Sequence, residues 1–455
     1  MSMAATLDRE RLASLETREL ARFATAHPRS RSLYDRARAS LVGGVPMPWM
    51  IKWAGRFPVY VEAASGAHLR CVDGHDYVDL SLGDTGAMSG HGAPASMDAI
   101  RAQLPRGLTT MLPTEDAAIV GAELGRRFGL PAWQFSLTAT DANRFALRLA
   151  RALTQRPKVL VFDYCYHGTV DETLAVLDDG GRVVARRGNL GPQVDPALTT
   201  KVVEFNDVAA LEAALAPGDV AVVLAEPAMT NVGIVLPDPG YHRALRELTR
   251  RTGTLLLLDE THTLCAGIGG CTRAFGLEPD IVVVGKTIGG GVPIGAYGLS
   301  RELADRVDAM IDVEDSDVGG IGGTLAGNAL SLAAARATLE DVLTVDAFER
   351  MTRLAERWTH GVEAILAARG VPWHVTRLGC RAEYHFRLAA PRTGAEAAAA
   401  ADYPLERYLH LAALNRGIVM TPFHNMALMA PSTTEADVDR HTAMFDEVLA
   451  ELFAA

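Results

Sequence analysis

Thr254-Leu255-Leu256-Leu257-Leu258-Asp259-Glu260 and Ile281-Val282-Val283-Val284-Gly285-Lys286 are the two stretches on which the fold turns. Each is a short unbroken apolar run, the pattern of a strand buried on both faces, and each ends abruptly in a charged group. Ligands gather at the carboxyl ends of strands in a parallel α/β sheet, so the pattern delivers a carboxylate and an amine to one edge. Lys286 is one of only four lysines and opens the glycine patch Gly289-Gly290-Gly291.

Further out, Lys158 to Phe162 and Val220 to Ala225 read as strands of the same kind, with helical spacing over Asn143 to Thr154 and Tyr241 to Thr252 between them. This alternation implies right-handed crossovers and a mainly parallel sheet. On the N-terminal side, residues 6 to about 40 form a charged helical arm that Gly43-Gly44-Val45-Pro46 interrupts, and Val59 to Leu82 alternates as a hairpin or meander turning at Asp73-Gly74-His75. Beyond Asn328 the pattern changes to long helices, short strands around Arg381 to Phe386, and a closing helix from about Glu435. The alanine tract Ala397 to Ala401 favours helix and needs no function. Three regions are expected: an N-terminal arm and small-domain segment over 1–85, a large domain over 86–328 and a C-terminal small domain over 329–455.

Composition narrows the function classes. The 455 residues are 49% hydrophobic and 22% charged, which fits an ordinary globular chain and excludes disorder. The formal charge of −11 argues against a nucleic-acid partner, because phosphate binding calls for a basic face. Five scattered cysteines without a C-x-x-C pair suggest reduced thiols and no metal site. Asp8, Arg9, Glu10 and Arg11 stand where a signal peptide needs its apolar segment, and no run reaches the ~18 residues of a membrane span, so a cytoplasmic, membrane-free protein is expected.

A carboxylate able to keep a ring nitrogen protonated and a lysine able to form a Schiff base are the two groups that pyridoxal 5′-phosphate (PLP) chemistry requires. Other segments stand in order around them. Leu137-Thr138-Ala139-Thr140-Asp141-Ala142-Asn143 precedes a helix, Tyr166-His167-Gly168 follows a strand, Glu226-Pro227 ends another, and Gly319 to Asn328 is glycine-rich around Thr324. Taken singly these are a helix cap, an ordinary loop and a flexible linker.

Taken together, the ordered set resembles the class III aminotransferases of PLP fold type I, in the branch that includes glutamate-1-semialdehyde aminomutase, from about Gly43 onward. The resemblance implies a mainly parallel seven-stranded-type sheet in a large helix-flanked α/β domain, with a smaller α+β domain built from N- and C-terminal segments. It implies that Lys286 forms the Schiff base and moves the proton, and that Asp259 pairs with the pyridine nitrogen. Thr138, Ala139 and Thr140 would hold the phosphate, Tyr166 would stack on the ring with His167 behind it, and Glu226 would point into the crevice. Thr261 and His262 would also lie by the cofactor, although Thr261-His262-Thr263 departs from the apolar valine usual after the D-E pair. Thr324 would reach the phosphate of a neighbouring subunit, making a homodimer with shared sites part of the mechanism.

Substrate signals point elsewhere within the family. In the aminomutase an arginine in the arm grips the substrate carboxylate, whereas Met50 stands at that position here. Trp49, Met50, Trp53, Met88 and Phe423 suggest an apolar, partly aromatic pocket, and Lys52 or Arg381 is the candidate cation for an acceptor carboxylate. The expectation is therefore a ping-pong transaminase that moves an amino group from an amine or amino acid, such as a β-amino acid or an apolar or aromatic amine, to a keto acid. A glutamate-1-semialdehyde-type aminomutase or a decarboxylase is the alternative, and a PLP-fold protein without turnover is disfavoured by the presence of Lys286 and Asp259.

Overall fold

The computed structural model describes residues 6–312 and 314–454. The chain divides into two compact units. One comprises Ala93–Phe348 with Pro391–Ala399, and the other comprises Met1–Gly92, Glu349–Ala390 and Ala400–Ala455.

The first unit is built on a seven-stranded sheet in the order Ala132–Ser136, Gly295–Leu299, Ile281–Val284, Leu255–Asp259, Val220–Ala225, Lys158–Phe162, Thr200–Val203. The last five of these run parallel to one another. Side-chain alternation sorts the apolar runs into two cores. Val159, Val161, Val222, Leu224, Leu257 and Val283 share one with Ala142, Ala146 and Leu149 of the helix Ala139–Thr154. Leu160, Phe162, Val223, Leu256 and Leu258 share the other with Tyr241, Leu245 and Leu248 of the helix Tyr241–Thr252. Unbroken Val/Leu runs are thus needed because both faces are covered.

Gly295–Leu299 runs antiparallel to both of its neighbours, a departure from a purely parallel sheet. Its glycines let the backbones approach. A Cβ on Gly298 would lie 2.6 Å from the Trp133 ring, and one on Gly295 would lie 2.5 Å from the Thr138 carbonyl.

The second unit contains the meander Val61–Ser65, His68–Cys71, Asp76–Asp79, to which Ile418–Val419 adds a parallel strand. A second antiparallel sheet joins His374–Leu378, Arg381–His385 and Met426–Leu428. The N-terminal arm is the helix Arg9–Ala26, capped by Asp8, and the closing helix is Glu435–Leu452, opened by a capping box of Thr434 and Asp437. No described helix is long and apolar enough to cross a membrane.

Candidate active site

The parallel strands of the first unit bring four of the expected segments to one end of the sheet. The strand Lys158–Phe162 leads to Tyr166 and His167, Val220–Ala225 to Glu226, Leu255–Asp259 to its own last residue, and Ile281–Val284 to Lys286. Asp259, Glu226 and His167 are each at most 5% exposed. A charge buried that deeply needs partners.

Asp259 has three. His167 Nδ1 and Asn143 Nδ2 each lie 2.9 Å from its Oδ2, and the Thr261 amide donates to Oδ1 at 3.0 Å. Burial opposes the carboxylate charge, but the hydrogen bond and charge of His167, together with Thr261 and Asn143, prevail and hold Asp259 below the usual aspartate range. Burial likewise works against a charged His167, and the neighbouring Cys165 and Asp259 outweigh it and push the imidazole up. The site therefore carries a fixed anion braced from behind by a cationic ring.

Glu226 is served differently. The Thr230 amide and hydroxyl donate to its two oxygens at 2.7 and 2.6 Å, both from neutral groups. Burial then dominates and raises its pKa. Glu260, beside Asp259, turns away from the site and accepts from the Thr263 hydroxyl at 2.5 Å, the Cys271 amide at 3.0 Å and the amide and hydroxyl of Thr272. It fastens the loop 263–272, and a Cβ on Gly270 would collide with its carboxylate. Burial raises its pKa too.

Lys286 begins the turn Lys286–Gly289 with φ +53, a left-handed conformation that a side chain rarely adopts. Its position is tightly bounded. A Cβ on Gly285 would lie 3.0 Å from that of Ala139, and one on Gly290 would lie 2.4 Å from the Thr338 hydroxyl. The ε-amine lies 2.8 Å from His262 Nε2.

The phosphate-loop segment forms the N-terminus of the 16-residue helix Ala139–Thr154, with Thr138 as the cap accepting from the Asp141 amide at 3.2 Å. The first-turn amides of Ala139 and Thr140 have no acceptor among the described residues. Such donors, with the helix dipole behind them, suit an anion. The Thr140 hydroxyl accepts from the Thr169 amide at 3.2 Å, so this segment meets the Tyr166-His167-Gly168 loop directly. Gly168 must be glycine, since its φ is +81 and a Cβ would lie 2.0 Å from Thr140 Oγ1. A cofactor with a phosphate and a protonatable ring nitrogen fits this set of donors and this anion.

Thr324 lies exposed in a turn closed by Ala326 N to Gly323 O at 2.9 Å, just before Asn328 caps the helix Ala329–Ala337. The remaining expected residues fall in the other unit. Trp49 packs on Phe423 with ring centroids 4.8 Å apart, and Met50 is half-buried beside it in the turn Pro48–Lys52, where Lys52 is exposed. Trp53 packs on the core around Phe23, and fully buried Met88 lies 3.7 Å from the Cys380 sulfur. Arg381 is fully buried and paired with Glu383 at 3.1 Å, which His424 contacts from the other side. Asn143 and Thr230 carry structural weight that sequence reasoning did not assign. Asn143 was already visible as the last residue of the phosphate-loop motif, one helical turn after Thr140.

Residues 50–449 match the family model for class III aminotransferases. The chain belongs to that family. Class III enzymes are PLP-dependent, and their members include transaminases and aminomutases. Among curated relatives of this class III enzyme, the glutamate-1-semialdehyde 2,1-aminomutase of Sorangium cellulosum is 34% identical over 430 residues, 93% of this chain and 96% of the relative. Among solved structures, a glutamate-1-semialdehyde aminomutase from Pseudomonas aeruginosa PAO1 is 51% identical with a TM-score of 0.96, covering 98% of this chain and 99% of that one, and its K286A variant has been crystallised with PMP. A β-phenylalanine aminotransferase from Variovorax paradoxus is 26% identical with a TM-score of 0.85, covering 96% and 97%.

Proposed function

We propose that this class III enzyme shifts an amino group within one substrate, as a glutamate-1-semialdehyde-type aminomutase. The observation that carries this reading is the pairing of the strand-end set, Asp259 and Lys286, with relatives of that name along nearly the whole chain. Thr138, Ala139 and Thr140 would hold the PLP phosphate, Tyr166 and Thr261 the ring faces, Asp259 the ring nitrogen and Lys286 the aldehyde carbon. His167 and Glu226 complete the surroundings. Bound there, PLP supplies an electron sink for the carbon that carries the amino group.

The protein's own groups do the rest. His167 and Asn143 keep Asp259 anionic, so a proton on the facing nitrogen is retained. Lys286 accepts a proton from one carbon and returns it to another. The amides at the helix N-terminus fix the phosphate, and with it the orientation of everything attached. A second copy of the chain would complete each site through Thr324, so the working form is a homodimer. Its proposed place is the cytoplasm.

A second reading, the transaminase, has its own support. Met50 occupies the position of the aminomutase's carboxylate-gripping arginine, and Trp49 with Phe423 forms an aromatic pair nearby in the same unit. In that case an apolar amine or β-amino acid donates, and a keto acid accepts.

One experiment separates the two. Holoenzyme is given glutamate 1-semialdehyde with no second substrate, and in parallel an amine panel with pyruvate. Formation of 5-aminolevulinate without an acceptor supports the aminomutase. Alanine formed from pyruvate, with the semialdehyde untouched, sinks it in favour of the transaminase.

A further inference from the structure

We propose that His262 is the proton partner of the Lys286 ε-amine, the group that takes and returns the lysine's proton. This rests on the reading of Lys286 as the residue that captures PLP. The contact is direct, at 2.8 Å between Nζ and Nε2. The backbone that carries each residue is held in place. His262 stands immediately before the turn Thr263–Ala266, which Glu260 fastens through Thr263, Cys271 and Thr272. Arg127 tightens the same loop by donating to the Ile268 carbonyl at 3.2 Å. Lys286 is fixed from its own side by the close approaches at Gly285 and Gly290.

A hydrogen bond between an amine and an imidazole needs one donor and one acceptor. The facing atoms therefore cannot both carry their full complement of protons, because two cations at that distance repel and leave no lone pair between them. Transfer breaks one Nζ–H bond and forms one Nε2–H bond, moving a single positive charge from ammonium to imidazolium with no co-reactant. It leaves the lysine with the lone pair that attack on an aldehyde requires. Several other titratable groups at this end of the sheet are engaged with different partners. Asp259 holds His167, Glu226 holds Thr230, Glu260 holds the loop, and Cys265 and Cys271 are buried in it. His262 is in position to relay this proton.

The test uses the apo-protein, so it does not depend on turnover. PLP is added at pH 7, and covalent capture is followed by absorbance, with the borohydride-reduced adduct located by peptide mapping. His262→Ala should capture PLP about 10²-fold more slowly than the unaltered protein, in line with the usual size of proton-transfer assistance. Added imidazole should restore the rate in proportion to its concentration, whereas His262→Asn, which keeps a polar group but does not exchange a proton with an amine near this pH, should stay slow. Circular dichroism confirms that both variants are folded. Capture by His262→Ala at the unaltered rate, or a slow rate that imidazole does not rescue, overturns the proposal. If the unaltered protein itself gives no adduct at position 286, the parent reading fails first.

Discussion

Asp259 and Glu260 are consecutive, both buried and both carboxylates, yet they serve opposite ends. Asp259 faces a cationic imidazole and an amide side chain, while Glu260 faces hydroxyls and backbone amides. Burial pushes both pKa values up, and only Asp259 has a charged partner strong enough to reverse that. The lesson is that burial alone does not mark a working carboxylate. The sign of its neighbour does.

The comparison can be broken at several points. The largest effect belongs to Asp259→Asn, which removes the fixed anion while keeping the shape. Turnover should fall about 10²–10³-fold, equivalent to about 3–4 kcal/mol of transition-state stabilisation, and the urea midpoint near neutral pH should fall as well, because the low-pKa carboxylate no longer contributes. A variant that unfolds readily but retains turnover would reverse the roles assigned here. Glu260→Gln should act on stability and hardly on turnover, since it turns an amide nitrogen toward groups that are themselves donors. A loss of about 1–3 kcal/mol in unfolding free energy is expected, with kcat altered far less than by Asp259→Asn.

The pH dependence of apo-protein stability sharpens the contrast. Asp259 has a lowered folded pKa, so its contribution is complete above the unfolded value near 3.9 and disappears as pH falls toward the folded one. Glu260 has a raised folded pKa, so it imposes a penalty that sets in as pH rises past about 4.3 and grows until the folded value is reached. Urea titrations from pH 3 to 8 should show Asp259→Asn losing its acid limb and Glu260→Gln losing a decline above pH 5, the latter shallower than about 1.4 kcal/mol per pH unit. Parallel curves for the two variants would count against the assignment. The smallest effect is expected from Thr272→Val, which deletes one of Glu260's hydroxyl donors and should cost about 1 kcal/mol in thermal or urea unfolding without moving KM.

Much of this site was readable in the chain because it lies at the ends of unbroken apolar strands. Leu255 to Asp259 and Ile281 to Lys286 announce their own geometry, and the meander around Asp73-Gly74-His75 and the closing helix from Glu435 follow from equally local signals. Gly295–Leu299 did not announce itself. Two glycines in five residues argue against a strand until one sees that Trp133 and the Thr138 carbonyl occupy the space of their side chains. The return of Pro391–Ala399 to the unit of Ala93–Phe348 is also invisible locally, because it depends on which surface accepts a short helix. Pairings across long stretches of chain, such as Asn143 with Asp259 and His262 with Lys286, are set by the tertiary fold and leave no periodic trace.

The left-handed backbone at Lys286 has a further consequence. An L-residue held there costs on the order of 1–2 kcal/mol relative to its relaxed conformation, a penalty glycine escapes. Folding and the proposed chemistry therefore ask for different residues at this one position. A library screened only for heat resistance would enrich Lys286→Gly, gaining robustness while discarding the amine on which the proposed reaction depends.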